Sequence, residues 1–596
     1  MQPSRYRWLD CCWIVGLVVV VWGFDLFGHP LSVPDSGRYA EIPREMLESG
    51  DWVTPHLNGV KYFEKPPLFY WLQLLAFKVA GVGADVAMVP NFVLSVAIVV
   101  VTYLLGDALF GRKSGVASAL ALASSLGGFV FTRVLTLDVI LSCMLTVSIG
   151  SFWLAYLRRE QGGVTYLWVA YIAAAGAVMS KGLVGLLFPM LILGSWILLT
   201  RDWRGLRYWM YWPAISVAML LVLPWHLLMQ QCHPEFWQFY FVEQHFARFF
   251  TDYAMRQQGW WFFGVVLLVG WYPWVVMFSA ILRNLLKRWR YRWEQFKLSC
   301  WDVVAKSELF IAMWAVVIVL FFSCSQSKLI PYILPAFPPI ALLVGNYLAN
   351  LWEKPMGRSN PVNGWIWLHI ILIVGILAIL IWFPDIVRID GGVSLLRKLV
   401  GVWVCTLCVI WWLRRYSTSN SYILMTIGLS MVAFFQIISG YVYNINGHSI
   451  YSLVQILQQE LTDQDTVIIY HDYYQELPFY LRRKVVIVGD GGELAPGVRH
   501  QPEAKGWIWQ QHRFEKCMLL ADNCRSEQDA TACQWLVNSG CLLKGDWSQD
   551  REYGYYYILT KWLDWENLKE QLPIVLGWRL VARDRDVVLI TDKPGG

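Results

Sequence analysis

This chain has little charge: 15% of its 596 residues are charged and 57% are hydrophobic. With a mean hydropathy of +0.43, it carries more apolar surface than one aqueous core can bury, so much of it is solvated by lipid. Other signals are missing too. There is no Gly-rich phosphate loop, so no nucleotide cofactor is expected. The cysteines show no zinc-knuckle spacing, and there is no internal repeat or low-complexity tract. No small-residue cleavage site follows the first apolar run, Cys11 to Phe27, which therefore reads as a retained span. The formal charge of +6 lies beside hydrophobic segments rather than on a basic aromatic surface, which argues against nucleic acid as a partner.

What is present is a series of apolar runs. A helix needs about 20 apolar residues to cross the hydrocarbon. Candidate spans fall at 9–28, 86–110, 114–131, 137–157, 165–179, 182–200, 208–229, 259–282, 308–324, 330–351, 364–384, 393–413 and 421–443. The fold class expected is therefore a polytopic α-helical membrane protein of about thirteen spans. One further stretch, Pro66 to Ala80, is short and carries Lys78. If it does not cross, alternate loops collect the basic residues on one side: Arg5 and Arg7, Arg112 and Lys113, Arg158 and Arg159, then Arg201, Arg204 and Arg207. The run Arg283, Lys287, Arg288, Arg290 and Arg292 and the pair Arg414 and Arg415 complete that side. Cytoplasmic loops retain Lys and Arg, so the N-terminus is expected inside. The segment Gly28 to Lys65, the loop Gln230 to Gln258 and everything after about Tyr443 are then expected outside.

Composition divides the chain into a membrane region, 1–443, and a more polar region, 444–596. The latter carries strand-like runs at Thr466 to Tyr470 and Val485 to Val488 with a helix signal near Gln475 to Arg482, a βαβ-like unit, and a closing hairpin at Arg579 to Thr591. This reads as a C-terminal α/β domain on the periplasmic side. Cys517, Cys524, Cys533 and Cys541 lie in it and allow three disulfide pairings, of which 517–524 with 533–541 is the simplest.

The candidate chemistry is concentrated at outer helix ends. The first outer segment mixes carboxylates and cations, including Asp35, Arg38, Glu64 and Lys65, with Tyr39, Trp52, Tyr62 and Phe63, and it is longer than a connector requires. Asp138, Lys181, Lys328 and Tyr332 stand at other outer helix ends, and their agreement favours a shared cavity. An aromatic loop from Pro234 to Phe249 embeds Glu243, His245 and Arg248. A histidine in such a loop is more often structural than a metal ligand, since no second His stands at i+4.

In this order the residues resemble the lipid A aminoarabinose transferases, a branch of the polyprenyl-phosphate-dependent glycosyltransferases of GT-C fold related to the protein O-mannosyltransferases. The resemblance rests on Arg38-Tyr-Ala-Glu-Ile42, Arg44 to Trp52, Tyr62-Phe-Glu-Lys-Pro66, Ser180-Lys-Gly182, Pro224-Trp225 and Tyr332 to Phe337. It implies interfacial helices after the first span and an undecaprenyl-phosphate-linked sugar as donor, with lipid A or another envelope molecule as acceptor. It assigns Asp35 as the catalytic acidic position and Asp138 as a further one. Arg38, Lys65, Arg248 and Tyr332 would hold or approach the carrier phosphate, with Lys65 and Arg248 the sharpest assignments. Glu64 and His245 match a pair that binds a divalent metal, zinc being one candidate, in a structural role. Tyr39, Tyr62, Lys181 and Lys328 join the substrate-binding set by position. Ser36 stands where the family often has a second acid. Transfer to protein hydroxyls or another envelope glycan is the enzyme alternative. A lipid-linked sugar transporter or flippase is the alternative of another class, though it would place its ionisable residues near mid-membrane.

Overall fold

A computed structural model describes residues 4–31, 35–250, 257–295, 301–352, 362–382, 392–416, 420–445, 449–471, 473–489, 508–509, 556–561, 579–584 and 587–591, with residues 494, 501 and 568. The four cysteines from 517 to 541 lie outside the described residues. The chain forms two compact units, one of residues 1–29, 65–69 and 88–445, the other of residues 30–64, 70–87 and 446–596.

The first unit is helical and multi-pass. Among the described residues nine helices are long and apolar enough to cross a membrane, or eleven if each of two bent pairs counts as one span. Two further expected spans, 182–200 and 364–384, are present as apolar helices whose described runs, 184–200 and 363–378, are shorter. A count of thirteen is therefore not reached on length and composition. Two expected spans are broken rather than continuous. Arg112–Ala123 and Leu126–Arg133 meet at 57°, where the Ser125 side chain accepts a hydrogen bond from the Gly128 amide and starts a new helix. Phe262–Gly270 and the helical run from Trp274 to Glu294 meet at 109°. Pro273 stands at that break and has no amide hydrogen with which to continue the first helix. The segment expected as a loop around His245 contains a π-helical stretch, Gln238–Ala247.

Between apolar helices in lipid, association rests on packing and on the few polar bonds available. Here aromatics supply much of it: Trp153 stacks on Phe310 at 4.1 Å, meets Trp196 edge-on at 4.8 Å, and donates its indole N–H to Ser307 Oγ at 3.0 Å. The stretch after the double proline is a helix of 13 residues, Leu68–Ala80, about 20 Å long. That is too short to cross about 30 Å of hydrocarbon, in agreement with its expected exclusion from the spans.

The second unit joins the first outer segment to the C-terminal region. Its hairpin pairs β1, His56–Leu57, with β2, Val60–Lys61. Asn58 and Gly59 form the two-residue loop with φ of 52° and 71°, the positive pair that a type I′ turn requires and that Asn-Gly adopts most readily. The sheet comprises β3 (Thr466–Tyr470), β4 (Val486–Val488), β5 (Ile508–Trp509), β6 (Tyr556–Lys561), β7 (Arg579–Asp584) and β8 (Val587–Thr591), in the order β5-β4-β3-β6-β8-β7. β3 is parallel to β4 and β6, with Ile468 opposite Val486 and Ile558. The helix Glu476–Leu481 connects β3 to β4, which is the expected βαβ unit. β7 and β8 form the expected antiparallel hairpin.

Hydrogen bonds tie the early segment to this sheet. The Asn58 side chain donates to the Val485 carbonyl and accepts from the Val485 amide, both at 2.9 Å, with all of these groups buried. Gln501 does the same for the hairpin backbone, accepting from the Lys61 amide and donating to the Gly59 carbonyl. Glu476 is buried and accepts from the Ile450 amide at 2.7 Å and from Ser449 Oγ at 3.1 Å. Burial pushes its carboxyl up to about 8.

Asn58→Ala would leave both polar groups of Val485 unpaired and place alanine at positive φ. It is expected to destabilise this unit by about 2–4 kcal/mol, read as a lowered melting temperature of the purified protein. The Glu476 pKa, raised from 4.5 to about 8, sets a pH window. Between these values the unfolded carboxyl loses its proton while the folded one keeps it, so stability should decline as pH rises from about 4.5 to 8. Melting curves across that range should flatten in Glu476→Gln, which cannot titrate.

Candidate functional site

Within the first unit a cavity of about 390 Å³ brings three cations together: Lys65, Lys181 and Arg248. Gln244, Ser325, Ser327 and Tyr332 add polar groups. His245 also lines it, and the rest of the wall is apolar, with Leu183, Val184, Leu187 and Met190 on one side and Phe321 and Phe322 on another helix. The site is therefore amphipathic, a cationic patch set against a hydrocarbon surface.

Each cation is positioned by its element. Lys181 ends the helix Val164–Lys181, where a positive charge complements the helix dipole. Its ammonium bonds the Asp138 carboxylate and lies 4.4 Å from the centre of the Tyr332 ring. Asp138 stands in the first turn of Leu137–Leu157 and accepts from Thr136 Oγ1 at 3.1 Å, while Thr136 caps that helix. With 4% of its surface exposed and Lys181 bonded to it, Asp138 acts on the cavity through Lys181. Arg248 follows the π-helical stretch and donates to Gln244 Oε1 at 2.9 Å. Tyr332 lies in the 3-10 helix Ile330–Ala336. Ser325 and Ser327 come from an extended strip in which the Gln326 amide donates to the Phe249 carbonyl and Ser327 bridges Gln257.

His245 joins two of these elements. Its Nδ1–H donates to the Tyr240 carbonyl at 2.6 Å, and its Nε2 accepts from the Leu183 amide at 3.2 Å. The imidazole thus links the π-helical stretch to the turn that follows Lys181. That turn needs Gly182, whose φ is 83° and whose missing Cβ would meet His245 Nε2 at 2.5 Å. Burial pushes the His245 pKa down to about 4, so the ring is neutral and can accept at Nε2. With both nitrogens engaged it offers none to a metal, and among the described residues no group of three or more His, Cys, Asp or Glu side chains could hold one. As arranged, the residues at His245 do not fit the metal that the resemblance implies.

Lys328 does not line the cavity. It is buried, and its ammonium donates to the Ser325 carbonyl, so it shapes the serine strip instead.

The remaining expected residues belong to the second unit, except Lys65. Asp35 opens the helix Asp35–Ser49, favourable for an anion at a helix N-terminus, and it pairs with Arg38 one turn on. The Arg38 guanidinium lies over the Tyr39 ring at 4.9 Å, and Tyr39 approaches Tyr70 at 6.4 Å. Tyr39 and Tyr62 are buried, while Glu64 is half-buried. Further along the helix, Arg44 donates to Glu41 at 2.5 and 2.6 Å, and Glu45 accepts from the Gly59 amide. The charged run that marks this segment in the sequence is thus in large part a buried scaffold.

Sequence reading missed Gln244, Ser325 and Ser327. Gln244 sits four residues before Arg248, a helical spacing that would have signalled the pair. The serines had no signal beyond their alternation in an extended strip.

His245→Ala removes the acceptor of the Leu183 amide. Exchange of that amide, slow in the wild type, should quicken about tenfold, while a chelator should leave wild-type exchange unchanged. Mass spectrometry of peptides covering residue 183 measures both.

Comparisons with known proteins bear on both units. Residues 30–240 match the family model described as dolichyl-phosphate-mannose-protein mannosyltransferase, and residues 453–518 match the aminoarabinose transferase C-terminal domain. The undecaprenyl phosphate-alpha-4-amino-4-deoxy-L-arabinose arabinosyl transferase of Edwardsiella ictaluri is 32% identical over 355 residues, 58% of this chain. A transferase of the same name from Pseudomonas fluorescens is 33% identical over 363 residues, 59% of this chain. These alignments span 61% and 62% of the relatives' own lengths. The crystal structure of ArnT from Cupriavidus metallidurans bound to undecaprenyl phosphate superposes with a TM-score of 0.76 at 23% identity, covering 99% of both chains. Its apo state gives 0.74, again at 23% identity, over 98% of this chain and 97% of that one. The chain therefore has the GT-C fold, and its resemblance to the aminoarabinose transferase branch runs from the first outer segment into the C-terminal domain.

Proposed function

We propose that this chain is a bacterial inner-membrane glycosyltransferase that moves 4-amino-4-deoxy-L-arabinose from undecaprenyl phosphate to lipid A on the periplasmic face. The observation that carries this reading is the cavity of Lys65, Lys181 and Arg248 against Leu, Met and Phe side chains. A lipid phosphate has the same two parts, an anionic head and a long hydrocarbon tail. The names of the curated relatives supply the sugar. The charge distribution of the loops supplies the orientation, with the N-terminus in the cytoplasm and residues 444–596 in the periplasm.

The reaction is a displacement at the anomeric carbon. An acceptor oxygen forms the new bond while the bond from that carbon to the carrier phosphate breaks, and its electron pair leaves with the phosphate. Charge therefore grows on the carrier phosphate, where Lys65 and Arg248 stabilise it. Lys181 is partly neutralised by Asp138 and serves more to position. Tyr332, with the Lys181 ammonium over its ring, lines the same cavity. Asp35 orients the acceptor or, for a hydroxyl, takes its proton. With a lipid A phosphate the attacking oxygen is already ionised near neutral pH, and Asp35 then acts by orienting.

The test is transfer of label from aminoarabinosyl undecaprenyl phosphate to lipid A by purified protein in lipid. Lys65→Ala and Asp35→Ala are each expected to lower the rate by about a hundredfold or more with folded protein retained. Release of free carrier phosphate without labelled lipid A would reassign the acceptor. Relocation of intact donor across the bilayer would make the chain a transporter.

A further inference from the structure

The helix Phe278–Gln295 is 18 residues long, about 27 Å. The helical run that contains it turns 109° away from Phe262–Gly270. It presents three faces. Ile281 and Leu285 are buried, and Arg288 and Arg292, on the same side at helical spacing, pair with Glu308 at 2.9 Å and Asp302 at 2.7 Å at the start of the next long helix. That face is fixed to the protein. A second face carries Leu282, Leu286 and Trp293, each more than half exposed. Their spacing places them within about 40° of one another around the axis. Next to it lies a third stripe, Arg283, Lys287 and Arg290, at i, i+4 and i+7, all exposed. It is interrupted by Glu294, which pairs with Arg290 at 2.9 Å.

An apolar stripe beside a basic one, on a helix nearly perpendicular to its predecessor, is the pattern of a helix lying in the bilayer interface. The Leu and Trp side chains enter the acyl region while the cations remain at headgroup depth. We propose that Arg283, Lys287 and Arg290 form a binding site for the phosphodiester headgroups of anionic phospholipid. Charge complementarity commits the occupant: a zwitterionic headgroup would satisfy the apolar stripe but carries its own cation beside the phosphate, so it brings no net negative charge to Arg283 and Lys287. The site is independent of the cavity described above, since none of its residues lines that cavity.

The experiment uses the full chain in nanodiscs of equal phosphatidylglycerol and phosphatidylcholine, with native mass spectrometry of the lipids retained on extraction. The wild type should retain phosphatidylglycerol in preference. Replacing Arg283, Lys287 and Arg290 by Gln should lower that preference by about fivefold per residue, on the order of a hundredfold in all. Arg204→Gln with Arg207→Gln, removing exposed charge elsewhere, should leave it unchanged. Circular dichroism checks folding, and if the triple variant is misfolded the single Lys287→Gln is read instead, with an expected fivefold loss. Equal retention of both lipids by the wild type, or an unchanged preference in the folded variant, overturns the proposal. An equal loss in the Arg204 and Arg207 variant also does so, because it would make the effect one of net charge.

Discussion

A cation beside hydrocarbon must be held by a partner, because a charge that loses its water without compensation is expelled or neutralised. The cavity is organised around that constraint. Lys181 is retained by the Asp138 carboxylate and the face of Tyr332, and Arg248 bonds Gln244 one helical turn earlier. Four separate elements must therefore meet for the cationic patch to exist. The His245 ring, hydrogen-bonded at both ends, fixes the register of two of them. A neutral imidazole is well matched to that role, since it supplies one donor and one acceptor in a rigid plane and adds no charge to a site already positive.

The second unit applies the same rule differently. Glu41 is fully buried with Arg44 donating two bonds to it, and burial holds the Glu41 carboxyl well above the usual carboxylate range. Arg44 also reaches Glu48 at 2.6 Å. Such pairs gain little net stability over an apolar core, yet breaking one is costly because a buried charge is left behind. The conspicuous charges of the segment 41–48 thus fix one arrangement of the helix.

Much of this was legible in the sequence because lipid imposes a simple code. Apolar runs gave the helices, and alternating Val and Ile gave β3, β4 and the β7–β8 hairpin. Lys65, Lys181, Arg248 and Tyr332, all singled out by residue type and position, line one cavity. Breaks within spans were harder, since Ser125 and Pro273 interrupt hydrophobic runs too briefly to change their average. Lys328 misled for a related reason: its position at a helix end matched that of Lys181, but whether a lysine faces a cavity or a neighbouring carbonyl depends on side-chain direction. The π-helical stretch left no trace in the pattern, because its shift of register depends on contacts that a local window does not contain.

The hydrogen bonds between Asn58 and Val485 join residues 427 positions apart. At roughly 5–20 residues per second of synthesis, the early hairpin waits on the order of twenty to eighty seconds for its partner strand to leave the ribosome. During that interval the intervening helices are inserted while a segment with buried-type charges and exposed β-edges stands unfinished. The second unit can complete only when the chain is nearly done, and a truncation before Val485 would leave the early hairpin without its partner.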